Sequence, residues 1–104
     1  MRLIYLAHPY ASDPENNLAR AKRWYKWIID NHPDVCVIAP WLTEVTLCED
    51  ADPAQREAGL RRCVEVVSRC NEIWMCGPTI SSGMRRELYA AGAGWYRWRD
   101  DPQA

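Results

Sequence analysis

Short apolar runs alternate with longer amphipathic stretches along this chain, and polar turns separate them. The first run, residues 2 to 7 (Arg2 to Ala7), is almost wholly apolar, as expected of a strand with both faces covered. Asp13-Pro14-Glu15 then signals a helix start: a capping residue type, a first-turn proline and an early acid. That helix is expected to reach about Asn31, with Leu18, Ala21, Tyr25 and Ile28 on its inner stripe. Val35 to Ala39 reads as a second strand that Pro40 stops. A long acidic connection follows, from Trp41 to Asp52; loops of that length are usually functional or hold some structure of their own. Asp52-Pro53-Ala54-Gln55 starts a second helix in a capping-box-like arrangement, and Leu60, Cys63, Val64 and Val67 fit its i, i+3, i+4, i+7 spacing. Glu72 to Cys76 reads as a third strand and Ser82 to Ala91 as a third helix, stopped by Gly92 and Gly94. Trp95 to Arg99 completes the pattern as a short fourth strand, with Tyr96 and Trp98 on one face.

Strands and helices thus alternate, and right-handed crossovers turn that order into a parallel sheet. The expectation is an α/β fold: a small doubly wound, flavodoxin-like parallel sheet of about four strands, in the order 2-1-3-4, flanked by helices. Residues 1–104 form one domain of ordinary size. In such a sheet the strand order reverses between the first and third strands, and ligands bind at the strand tips there. Those tips are His8-Pro9-Tyr10 and the turn from Gly77 to Gly83. Gly83 lies four residues before Glu87, on the same helical face. A face with no side chain above a carboxylate leaves room for a ligand, which makes Glu87 the first candidate for chemistry.

Composition narrows the classes. A net charge of −1 offers no electrostatic case for nucleic acid or an anionic membrane. No run approaches the 18 or so apolar residues of a spanning helix, and the N-terminus has strand character rather than that of a signal peptide. Five cysteines form no CxxC pair, so reduced core thiols in a cytoplasmic protein are expected. Six tryptophans suggest aromatic walls to a pocket or a subunit interface, and with it a homo-oligomer. The acidic stretch Glu49-Asp50-Ala51-Asp52 lacks the spacing of calcium loops, and no metal is expected.

Ile4-Tyr5-Leu6-Ala7-His8-Pro9-Tyr10 resembles the opening motif of the nucleoside 2-deoxyribosyltransferase-like superfamily. That group includes 2′-deoxynucleoside 5′-phosphate N-hydrolases and many small phage and bacterial proteins. A second match is Cys70-Asn71-Glu72-Ile73-Trp74 followed by Ser82-Gly83-Met84-Arg85-Arg86-Glu87, where the family carries its nucleophilic glutamate. The resemblance implies cleavage or transfer at the N-glycosidic bond of a (deoxy)nucleoside or nucleotide, without metal or organic cofactor. Glu87 would attack the anomeric carbon, and Tyr5 would support it by donating to the carboxylate. His8, Pro9, Tyr10, Ser81, Ser82 and Gly83 would surround the substrate, with backbone amides near the helix N-terminus holding a phosphate or hydroxyl. Trp41 either stacks on the base or packs as a core aromatic.

The chain departs from that pattern in three places. Asn71 stands where the family often has aspartate, Cys63 where the phosphohydrolase branch has a catalytic aspartate, and His8-Pro9-Tyr10-Ala11 replaces a loop that carries arginine. His8, Asp52 and Glu44 are the candidates for protonating the leaving base. The departures motivate a second reading: a non-catalytic nucleotide- or nucleotide-signal-binding protein on the same fold.

Overall fold

Four parallel strands stand in the order β2-β1-β3-β4 in a computed structural model of the chain, which describes residues 1–92 and 94–99. Ala93 and residues 100–104, included in the expected domain, lie outside the described residues. The elements are β1 (Arg2–Ala7), α1 (Pro14–Asn31), β2 (Val35–Ile38), α2 (Pro40–Leu47), α3 (Pro53–Val67), β3 (Glu72–Cys76), α4 (Ser82–Ala91) and β4 (Gly94–Trp98). The doubly wound α/β architecture is the expected one. No helix among the described residues is long and apolar enough to cross a membrane.

Alternation along the strands divides the core in two. Tyr5, Ala7, Ile73 and Met75 belong to one buried cluster with Cys63 and Val67 of α3 and Met84 of α4. Ile4, Leu6, Trp74 and Cys76 belong to the other, with Trp24 and Ile28 of α1. Register at the leading end of β3 is pinned by Asn71, whose side-chain oxygen accepts from the Leu3 amide at 2.7 Å while its own amide donates to the Leu3 carbonyl at 2.8 Å. Asn71 is thus a clamp between β1 and β3, at the opposite end of the sheet from the strand tips.

One local expectation is made specific and three are corrected. The connection after β2 holds the helix α2: Pro40 does not merely stop β2 but opens this helix, where a missing N–H costs nothing. The buried stripe of α1 is Asn17, Ala21, Trp24 and Ile28, not one built on Leu18 and Tyr25. Asn17 is buried because its amide donates to the Tyr10 carbonyl and the Ser12 hydroxyl, both at 3.1 Å, tying the β1–α1 loop to the helix. Asp13 precedes α1 without a side-chain cap; its carboxylate instead accepts from the Asn16 side chain at 2.9 Å. Gly92 ends α4 in a left-handed conformation (φ 62°), whereas Gly94 already belongs to β4.

Most of the tryptophans pack together rather than around a pocket. Trp27 and Trp74 each lie edge-on or tilted to Trp98 at 5.3 Å between centroids, and Trp24 meets Trp27 at 5.7 Å. His32 meets Trp74 at 5.0 Å. Such pairs add to the area they bury. Trp74→Ala should therefore destabilise the protein by about 3–5 kcal/mol, read from urea unfolding; a cost under 1 kcal/mol would show that the cluster is peripheral to the core.

Candidate active site

A cavity of about 310 Å³ opens at the C-terminal tips of β1 and β3, near the lower end of the roughly 300–1,000 Å³ usual for ligand pockets. His8, Pro9 and Tyr10 line it from the β1 tip, and Ser81, Ser82 and Gly83 from the start of α4. Glu87 faces it from the next turn of α4, and Trp41 from α2. Eight of the nine residues singled out from sequence thus share one hollow. Tyr5, the ninth, is fully buried behind Glu87.

Glu87 is 5% exposed, and its carboxylate accepts a hydrogen bond from the Tyr5 hydroxyl. Burial pushes the Glu87 carboxyl up from about 4.5 to about 7, while the Tyr5 hydrogen bond works in the opposite sense. The Tyr5 phenol is itself raised, first by burial and then by the neighbouring Glu87 charge, so it stays protonated and remains a donor. Cys63 completes the buried group: burial lifts its thiol to about 11, a Tyr5 hydrogen bond opposes that, and the Glu87 and Glu44 charges add to it. A thiol so held is no nucleophile at neutral pH.

Ser81 caps α4, its hydroxyl accepting from the Met84 amide at 3.2 Å, and this sets where Glu87 falls on the helix. An added Cβ on Gly83 would sit 3.4 Å from Leu60 of α3, ordinary contact, so α3 closes part of the space expected above Glu87. At the β1 tip, His8 is 5% exposed and its Nδ1 donates to the Pro9 carbonyl at 2.8 Å. Its Nε2 lies against the turn after β3: a Cβ on Gly77 would stand 2.8 Å from it, and Gly77 has φ 99°. Both facts require glycine there. Trp41 stacks on His8, 11° from parallel at 6.5 Å, and donates from its indole N–H to the Leu6 carbonyl at 2.8 Å. It is therefore both a core aromatic, 8% exposed, and a cavity wall.

Of the three candidate proton donors, Asp52 caps α3 through the Ala54 amide at 3.0 Å and does not line the cavity. Glu44 does line it, but hydrogen bonds from Arg62 hold its carboxyl below the usual range, so it is an anion rather than an acid. Trp41 and Glu44 of this wall were candidates from the sequence, but the helix α2 that carries them was not. Trp41, Val45 and Cys48, at helical spacing, were the available signal.

The buried carboxylate thus lies where the strand order of this small parallel α/β sheet reverses, the place where open sheets of this kind commonly bind ligands. The chain belongs to a domain family of unknown function, DUF7768, whose model matches residues 2–99 and so spans every described strand and helix. A search of curated proteins returned no match.

The Glu87 environment has a measurable consequence. Its folded-state pKa lies above the unfolded one, so the native state holds the extra proton. That contribution to stability is whole below about pH 4.5 and is lost as the pH rises through about 7, on the order of 3 kcal/mol in total. Glu87→Gln should flatten this part of the stability–pH curve, measured as urea midpoints from pH 4.5 to 8. An unchanged slope would mean that another group titrates.

Proposed function

We propose that the protein cleaves or transfers the N-glycosidic bond of a (deoxy)nucleoside or nucleotide, with Glu87 as nucleophile and Tyr5 as the group that positions it. The observation that carries this reading is a nearly buried carboxylate, hydrogen-bonded to a fully buried phenol, facing a cavity of about 310 Å³ at the sheet's switch point. The resemblance of Ile4 to Tyr10 and of Cys70 to Glu87 to the nucleoside 2-deoxyribosyltransferase-like superfamily supports it from the sequence side. In the first step a Glu87 oxygen bonds to the anomeric carbon while the carbon–nitrogen bond breaks. The base leaves with the bonding pair and takes a proton from solvent. In the second, water or a second base displaces the carboxylate, and the proton that the attacking O–H or N–H sheds returns to solvent. This chemistry draws on no metal or organic cofactor, and the setting we assign is cytoplasmic.

Only the ionised carboxylate attacks. Free-base release should therefore rise with pH through about 7, and Tyr5→Phe should move that rise upward, because the phenol favours the charged form. Incubation with deoxynucleosides and their 5′-monophosphates, read by chromatography, should show base release that falls on the order of 10³-fold or more in Glu87→Ala. Unchanged turnover in that variant, with folding intact, removes Glu87 from the mechanism.

A binding-only role on the same fold is the second reading. The half-protonated state of Glu87 near pH 7 and the high-pKa thiol of Cys63 favour it. It requires that bound ligand be recovered intact. We also read the exposed Trp95 and Tyr96 of the edge strand β4, each 53% exposed, as support for a homo-oligomer. Sedimentation equilibrium giving a monomer would remove that part.

A further inference from the structure

Two of the carboxylates that face the cavity sit in opposite settings. Glu87 is held by a phenol, whereas Glu44 is held by a guanidinium: Arg62 Nε donates to one of its oxygens and Nη2 to the other, both at 2.6 Å. A bidentate pair of this kind fixes position as well as charge. The Cys48 thiol donates to Oε1 at 3.6 Å. A carboxylate offers about four acceptor sites, so the Glu44 carboxylate keeps capacity for a further donor. Its seat on α3 is Gly59, where a Cβ would lie only 3.3 Å from Oε1. Glycine inside a helix lowers its propensity, yet here the close approach of Glu44 calls for it.

The rest of the wall carries the same sign. Glu49 and Asp50 line the cavity alongside Glu44, and Arg56 is the single lysine or arginine among the described lining residues. Arg62 offsets Glu44 from behind, since it pairs with the carboxylate without lining the cavity itself. A phosphate, with a charge of about −1.5 to −2 at neutral pH, would meet this wall with one guanidinium to receive it. A hydroxyl or amino group would find acceptors.

We propose that Glu44 sets the charge class of the ligand: its Arg62-held carboxylate receives a hydroxyl or amino donor and repels a phosphate, so the cavity takes an uncharged nucleoside in preference to its 5′-monophosphate. This rests on the glycosidic reading above and narrows it.

The test is titration calorimetry at low salt on Glu87→Gln, in which the ligands stay intact. The probes are the four common 2′-deoxynucleosides and their 5′-monophosphates, with base release by the wild-type protein read separately. A nucleoside should bind at least about tenfold more tightly than its monophosphate. Adding Glu44→Gln should weaken the nucleoside about tenfold to a hundredfold, the range for a hydrogen bond to a charged group, and narrow the preference. A uniform loss for both ligands would mean that Glu44 only supports the fold, and overturns the proposal. Equal or tighter binding of the monophosphate before that change overturns it too, while leaving Glu87 in place. Binding by no compound of the panel overturns it as well, and if the wild type also releases no base the glycosidic reading falls with it. Should Glu44→Gln fail to fold, Glu44→Asp keeps the anion and must keep the preference for the nucleoside.

Discussion

The hydrogen bond from Tyr5 to Glu87 is the constraint around which the rest of this molecule is arranged. A carboxylate 5% exposed in an apolar surround would give up its charge unless a donor met it. The partners are 82 residues apart in sequence, so it is the strand pairing that brings them together. β1 must lie beside β3, and α4 must follow β3 after the turn of residues 77–81. Ser81, by capping α4, settles which helical position faces the phenol. Asn71 performs the matching task at the other end, locking β3 to β1 through Leu3. The site's geometry is thus a consequence of sheet register.

The sheet also separates two kinds of packing. On one side, Tyr5 and Met75 meet Cys63 and Met84, and this cluster carries the cavity. On the other, Trp24, Trp27, Trp74 and Trp98 form an aromatic mass with His32. Large rigid rings there let a chain of 104 residues bury much apolar area per residue. The polar cavity side can then hold buried ionisable groups whose burial costs stability.

Much of this was legible in the residues. The strands are short apolar runs ended by proline or glycine, and the crossover rule leaves few topologies for such an order. The convergence of His8 and Glu87 followed from that topology alone. What escaped depends on side-chain partners that periodicity does not register. Asn17 looks like a surface residue until the Tyr10 carbonyl is seen to need its amide. Pro40 signals the end of one element and the start of the next with equal force, and the second meaning was the one α2 uses. The tryptophans suggested pocket walls or an interface, whereas four of them pack against one another, because alternation assigns a face only once the register is known. Arg62 on α3 is 18 residues from Glu44, and no local pattern ties them.

The contrast between the two carboxylates is itself informative. When the environments of two acids in one cavity push their protonation apart, they are suited to different work. Glu87 sits near the point of half-protonation at neutral pH, so its charge responds to whatever enters beside it. A ligand that displaces water would favour the neutral form; a developing positive centre at an anomeric carbon would favour the anion. Glu44 has no such freedom, because Arg62 donates to each of its oxygens and holds it charged. One acid can change state during an encounter while the other presents a constant field. Cys63, lying under the influence of both and too high in pKa to ionise, adds no competing charge between them. An aspartate in its place would bring a third negative group beside Glu87 and raise the cost of ionising it. The neutral thiol therefore leaves Tyr5 as the main polar partner through which Glu87 is held ready to take its charge.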